Sequence, residues 1–276
     1  MTKLNHQTLE RTIPADVIEP EKIHLRGITR EQFIESLAGQ ESEERRKSAG
    51  RVFGIVKDLH KTGHKDRLKK WAEVGLLIFP ALAQESEAKG DLKQASQDLN
   101  RAGDMATWLD KDGEAYVHYA NGAELAVRCG QSVLASTQHS AAGGRALRLG
   151  RLEEAYRHRD MAAALAEQAI PSLQERGAGE MTRIQAAYNR VFAGETAMRL
   201  AYGIPGNVDR TWREKSVKQL HQAREHIQTL VRGGVDVRTL SGIFTQRVGE
   251  VARLFDPQIE QGLSLQGLQP RDRVRH

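Results

Sequence analysis

Glu114 and His118 stand four residues apart, the spacing that places two side chains on one face of a helix. A carboxylate and an imidazole so placed could share a divalent metal. A tetrahedral site needs three or four ligands and hydrogen-bond partners that orient them. His139 and Glu124 are the other candidates, and no spacing joins them to the first pair. His60 and His64 flank Gly63 among lysines, where a solvated basic turn is the simpler reading. No metal site and no cofactor are expected.

His158-Arg159-Asp160 has the letters of the protein-kinase catalytic loop, but that loop needs an Asn five residues after the Asp. Leu165 stands there, and the surroundings read as continuous helix. His158 and Asp160 are expected to be solvated helix residues. Cys129 lies on an apolar helical stretch and is expected as a buried small residue, not a nucleophile. The sequence contains no G-x-G-x-x-G, phosphate-loop, G-x-S-x-G or H-E-x-x-H pattern. The two glycines of "YGIPGNVD" come without a phosphate-loop lysine. A non-enzymatic protein is expected.

The sharpest charge signal is a basic run. Arg45, Arg46, Lys47, Arg51, Lys57, Lys61, Lys65, Arg67, Lys69 and Lys70 oppose only Asp58 and Asp66, so residues 45–70 carry 10 basic and 2 acidic side chains, net +8. Residues 1–44 carry 5 basic and 9 acidic ones, net −4, so the whole-chain +5 belongs to one segment. Such a run could take nucleic acid through counterion release, dock an acidic protein, or be a solvated face. Only Phe53 and Trp71 lie near it in sequence for base stacking. A contiguous exposed patch is expected, with Val52, Ile55, Val56 and Leu59 turned inward. Reversing Arg45, Arg46, Lys47 and Arg51 to Glu is then expected to leave the fold intact.

The elements that must position these residues are helices. The 276 residues have 5% aromatics, 7 prolines and few alternating β-branched runs, in a chain full of helix formers. A single cysteine allows no internal disulfide, which suggests a reducing, cytoplasmic setting. The start has no apolar stretch of signal-peptide character. The longest apolar run, Val74–Ala83, is too short to span a bilayer and holds Pro80, so no membrane insertion is expected.

Residues 1–28, with Pro14 and Pro20, suggest an extended arm. Residues 29–75 suggest N-terminal helices carrying the basic run, the first capped at Thr29 with Gln32 three residues on and ending near Gly39. Residues 76–255 suggest a helical domain, and 256–276 a loose tail. A kink or restart is expected at Pro80. Breaks are expected at Gly90-Asp91, Asp110–Gly113, Gly130, Gly143-Gly144 or Gly150, Glu175–Gly179, Gly203–Asp209 and Gly233-Gly234.

Two stretches agree in register: "GDLKQASQDLNRAGDMA" from Gly90 and "GRLEEAYRHRDMAAALA" from Gly150 share Gly, Leu and three Ala positions. The pattern resembles the second half of a tetratricopeptide repeat, where a Gly closes one helix and small residues let the next pack closely. Upstream, Phe79, Leu82, Ala83 and Gly143 fit the first-helix positions. The resemblance implies an all-α fold, an irregular stack of antiparallel helical hairpins; a non-repeat helical bundle is the alternative. It further implies a protein-interaction scaffold whose groove residues would be Gln84, Glu87, His118, Asn121, Thr137, Ser140 and Arg148. Other functions kept open are nucleic-acid association through residues 45–70 and self-assembly as a helical structural subunit of a phage or large bacterial complex.

Overall fold

Gly63, Gly90, Gly130, Gly150 and Gly234 all take positive φ, between 71° and 78°, and Asp110 joins them at 57°. Each closes a helix in the same way. The residue after it donates its N–H back across six residues, as Asp91 does to Ser86 and Arg151 to Ala146, both at 2.9 Å. This is the left-handed C-terminal cap that glycine enters without strain and that Asp tolerates better than most residues. Four of these turns recur every 20 residues, at 90, 110, 130 and 150. The three helices between them have 17 residues each.

This computed structural model describes Ser36, Gln40 and residues 42–174, 178–203, 208–254 and 263–265. The expected arm over 1–28, the helix capped at Thr29 and most of the tail over 256–276 lie outside the described residues. The fold is all-α: nine helices and no strand occur among the described residues, and neighbouring helices pack consecutively. They are α1 (Ser42–Thr62), α2 (Lys65–Ala88), α3 (Leu92–Trp108), α4 (Asp112–Arg128), α5 (Ser132–Arg148), α6 (Leu152–Gln174), α7 (Gly179–Ala201), α8 (Arg210–Arg232) and α9 (Arg238–Leu254). No described helix is long and apolar enough to cross a membrane. The chain divides into two units, Met1–His118 and Tyr119–His276, with the division inside α4.

In the first unit α2 packs against both α1 and α3. Val52, Val56, Trp71, Phe79, Leu82 and Met105 are buried together, while Ile55 is only half-buried. Helix α2 runs unbroken through Pro80, so the expected restart does not occur. Position 75/76 therefore falls within one helix. Gly75 is there for contact: a Cβ on it would lie 2.7 Å from the Met105 sulfur.

In the second unit α6 packs on α5 and α7, and α7 on α8. The contact faces are small side chains: Ala135, Ala142, Ala155, Ala162, Ala186 and Ala197 are all buried. They bring helix backbones close enough for serines to bond across. Ser136 Oγ donates to Ala162 O at 2.7 Å, and Ser216 Oγ to Gly194 O at 2.8 Å. Larger apolar residues gather where α9 closes the end, with Leu220, Ile227, Phe244, Val248 and Val251, and in a smaller cluster of Tyr156, Leu200 and Trp212. Gly143-Gly144 is not a break. It lies in the middle of α5, and Gly150 makes the turn.

Candidate interaction face on α5 and α7

Arg190 of α7 is buried, its side chain only 6% exposed. Its Nε and Nη2 donate to the two oxygens of Glu167 on α6, at 2.9 and 2.7 Å. Its Nη1 donates to Asp160 Oδ1 and, at 2.9 Å, to Gln219 Oε1 on α8. Gln219 Nε2 then donates to Asp160 Oδ1 at 2.9 Å and to the Tyr156 hydroxyl at 3.1 Å. His226 Nε2 lies 2.9 Å from Glu167 Oε1. Burial pushes the Glu167 carboxyl upward, but bonds from His226 and Arg190 and their charges hold it down to about 2. Tyr156, Asp160 and Glu167 follow one stripe of α6, at steps of four and seven. The network therefore binds α6 and α8 across α7. Asp160 is not a freely solvated residue: its side chain stays 43% exposed, but it accepts from Arg190 and Gln219, 30 and 59 positions away.

Arg159, the next residue on α6, does the same in the other direction. It is buried, and its Nη1 donates to Ser140 Oγ on α5 at 2.8 Å and to Asn189 Oδ1 on α7 at 3.0 Å. The guanidinium carbon lies 5.7 Å from the ring centre of Tyr188 and 5.2 Å from that of Phe192. Gly143 and Gly144 make room for it: a Cβ on Gly143 would meet Arg159 Cγ at 3.0 Å, and one on Gly144 would meet Nη2 at 3.3 Å. No carboxylate lies within ion-pair distance of Arg159 among the described residues, and burial pulls its pKa down. Tyr188 and then Glu195 pull the other way, and Glu195 is itself engaged by Arg199 and Arg247. Asn189 Nδ2 is buried with no partner among the described residues.

Above this arginine lies a surface built from two helices. On α7, Met181, Gln185 and Tyr188 share one face by their spacing, with Met181 71% and Tyr188 38% exposed. On α5, Val133 (39% exposed), Thr137 and Ser140 share the facing stripe. Gln185 Nε2 donates to Thr137 Oγ1 at 3.1 Å and ties the two together. Exposed methionine, valine and tyrosine in one strip, with a buried arginine beneath, have the chemistry of a protein-contact surface.

Of the residues the sequence proposed for partner binding, Thr137 and Ser140 are brought to this face. Ser140 is half-buried and accepts from Arg159. Arg148 is exposed at the end of the same helix, and Asn121 is exposed on α4. Gln84, Glu87 and His118 belong to the first unit; Gln84 and Glu87 are exposed, and His118 is half-buried with its pKa lowered by burial against the pull of Glu114. Arg159, Gln185, Tyr188 and Arg190 were not singled out from sequence. The glycine pair in α5 is the one signal that could have pointed to Arg159.

The basic run is divided by the fold. Arg45 Nη2 lies 3.2 Å from Glu85 and Arg46 Nε 3.5 Å from the fully buried Asp98, so these two are ion-paired within the fold and not part of a solvated patch. Lys47 pairs with Glu43 at 2.9 Å on its own helix. Arg51, Lys57, Lys61, Lys65, Lys69 and Lys70 are exposed, and Arg67 is half-buried. The pairing of Arg46 with Asp98, 52 residues downstream, argues against the expectation that reversing Arg45 and Arg46 leaves the fold intact.

His158 is not solvated either. Its Nδ1 lies 2.9 Å from His139 Nδ1 across α5 and α6. One nitrogen donates and the other accepts, so the pair holds one proton between these atoms. Burial, then the neighbouring His158, brings His139 down to about 4; burial and Arg157 lower His158, against the pull of Glu154. Both folded-state values lie below the unfolded one, so the stabilisation is complete above pH 6.5 and is lost as pH falls toward 4. Urea midpoints are expected to decline between pH 6.5 and 4.5, and His139→Gln to reduce that decline. The Glu167 contribution falls away only below 4.5, which separates the two.

Among the described residues, no three His, Cys, Asp or Glu side chains are grouped to hold a metal ion. Glu114 is engaged by Lys111 at 2.9 Å. Cys129 is half-buried, not fully buried as expected, and its Sγ lies 3.5 Å from Ala126 O. No protein-family model and no curated protein matches this sequence.

Proposed function

We propose that this chain is a non-catalytic helical scaffold that takes a protein partner across the α5–α7 face. The observation that carries this reading is the strip Met181–Gln185–Tyr188 above a buried arginine that has no carboxylate within ion-pair distance among the described residues. Tyrosine and arginine dominate binding energy where they can be desolvated together, and Met adapts to irregular apolar surfaces. A partner that lays an apolar side chain beside Tyr188 and Met181 and an acidic one toward Arg159 would satisfy both. The resemblance to stacked helical hairpins adds to the reading, because alternate helices of such a stack line one binding surface.

The test is capture on the immobilised chain, compared with a Tyr188→Ala, Met181→Glu variant. Loss of two contact residues at the centre of an interface is expected to weaken the partner at least about 30-fold, the equivalent of about 2 kcal/mol. A partner retained equally by the variant would refute the reading. So would a concentration-dependent dimer of the parent, seen by sedimentation and dissolved in the variant, since the face would then serve self-assembly.

A further inference from the structure

The first unit holds a second surface of different chemistry. Once Arg45, Arg46 and Lys47 are assigned to their internal partners, the exposed cations gather around the Gly63 turn. Lys57 and Lys61 stand four apart near the end of α1, and Lys65 and Lys69 four apart at the start of α2. None of these four has a carboxylate within ion-pair distance among the described residues, although Asp58 and Asp66 lie in the same run. The fold adds something the sequence does not show. Trp108, from the end of α3, comes beside this cationic region: its ring centre is 5.8 Å from that of His60 and 5.9 Å from that of Phe53. Lys57 Nζ and the Arg101 guanidinium lie 5.9 and 5.8 Å from the Phe53 ring centre. His60 is exposed, and Trp108 and Phe53 are half-buried.

We propose that this surface binds single-stranded nucleic acid, with phosphates on Lys57, Lys61, Lys65 and Lys69 and a base against the His60–Trp108 pair. Exposed lysines provide the sequence-independent attraction, since each neutralised phosphate releases condensed counterions. Adjacent rings provide what a plain cationic surface lacks: a flat apolar partner for an unpaired base. An acidic protein would use the lysines and leave the rings idle. The surface lies wholly within the first unit.

The experiment is fluorescence anisotropy with a labelled 20-nucleotide oligo-dT. Four single-strand phosphate contacts imply an affinity loss of about 50-fold between 50 and 200 mM salt. Lys57→Glu, Lys61→Glu, Lys65→Glu and Lys69→Glu together are expected to abolish binding. His60→Ala leaves those charges in place and is expected to weaken binding about fivefold, the low end for one stacked base. The Tyr188→Ala, Met181→Glu variant is expected to bind oligo-dT as the parent does. Unchanged binding in the lysine variant would overturn the proposal, as would unchanged binding in His60→Ala. Displacement of the oligonucleotide by poly-glutamate at equal charge concentration would also overturn it, and would assign the surface to an acidic protein.

Discussion

Replacing Arg190 with methionine is expected to destabilise the second unit by about 3–5 kcal/mol, the cost of breaking a buried ion network from one side. The cation is 6% exposed and serves Glu167, Asp160 and Gln219 at once. Methionine fills much of the space, so the loss is electrostatic: Asp160, Glu167 and the buried Gln219 amide lose their donor, and water can replace it in part only at Asp160, 43% exposed, and Glu167, 29% exposed. Glu167 is the partner left worst off, because its carboxyl is held at about 2 by His226 and Arg190 together. A fall in Tm of about 10–15 °C is expected for a unit of this size. The decisive control is Arg190→Met with Glu167→Met, which removes the orphaned charge and is expected to recover part of the loss. If the single variant melts like the parent, the network is not a stabilising element.

Arg46→Glu is expected to destabilise the first unit by about 3 kcal/mol, whereas Lys57→Glu is expected to change stability by less than about 0.5 kcal/mol. Both reverse one charge in the same basic run. The difference is Asp98, whose side chain is 0% exposed and 3.5 Å from Arg46 Nε. Burial raises the Asp98 carboxyl, and Arg46 is the first of the groups pulling it back, ahead of Gln94 and Arg101. Glutamate at 46 would set a second carboxylate against it and would also leave Ser86 without its donor from Arg46. Thermal melts of the two variants check this directly, and equal melting points would contradict it.

Local signals were read well from sequence, and distant partnerships were not. Gly63, Gly90, Gly130, Gly150 and Gly234 announced their turns because positive φ is a local demand that glycine meets. Asp110 makes its turn without a glycine, inside the break expected at Asp110–Gly113, while Gly113 itself falls in the first turn of α4. The pair Gly143-Gly144 reads as a possible break because two glycines weaken a helix in isolation. Their reason lies on α6, in the space Arg159 occupies. The same holds for charge. Arg45 and Arg46 look solvated beside eight other cations, yet their partners are Glu85 and Asp98 on other helices. His158 and Asp160 look like surface residues until His139, Arg190 and Gln219 are brought to them. The matched stretches begin α3 and α6, 60 residues or three 20-residue steps apart. Their likeness reflects one helix with a glycine before it and small residues along it.

Alanine against alanine is a poor ruler. Two such helices can slide by one turn, about 5.4 Å, and still meet small side chains with small side chains. Arg159 and Arg190 remove that freedom, because each reaches from its own helix to both neighbours and finds acceptors at only one setting. They act as locating pins in an otherwise smooth joint. What they contribute, beyond energy, is alignment: the positions of Thr137 against Gln185 and of Asp160 against Gln219 are fixed together, so the α5–α7 face takes a single arrangement.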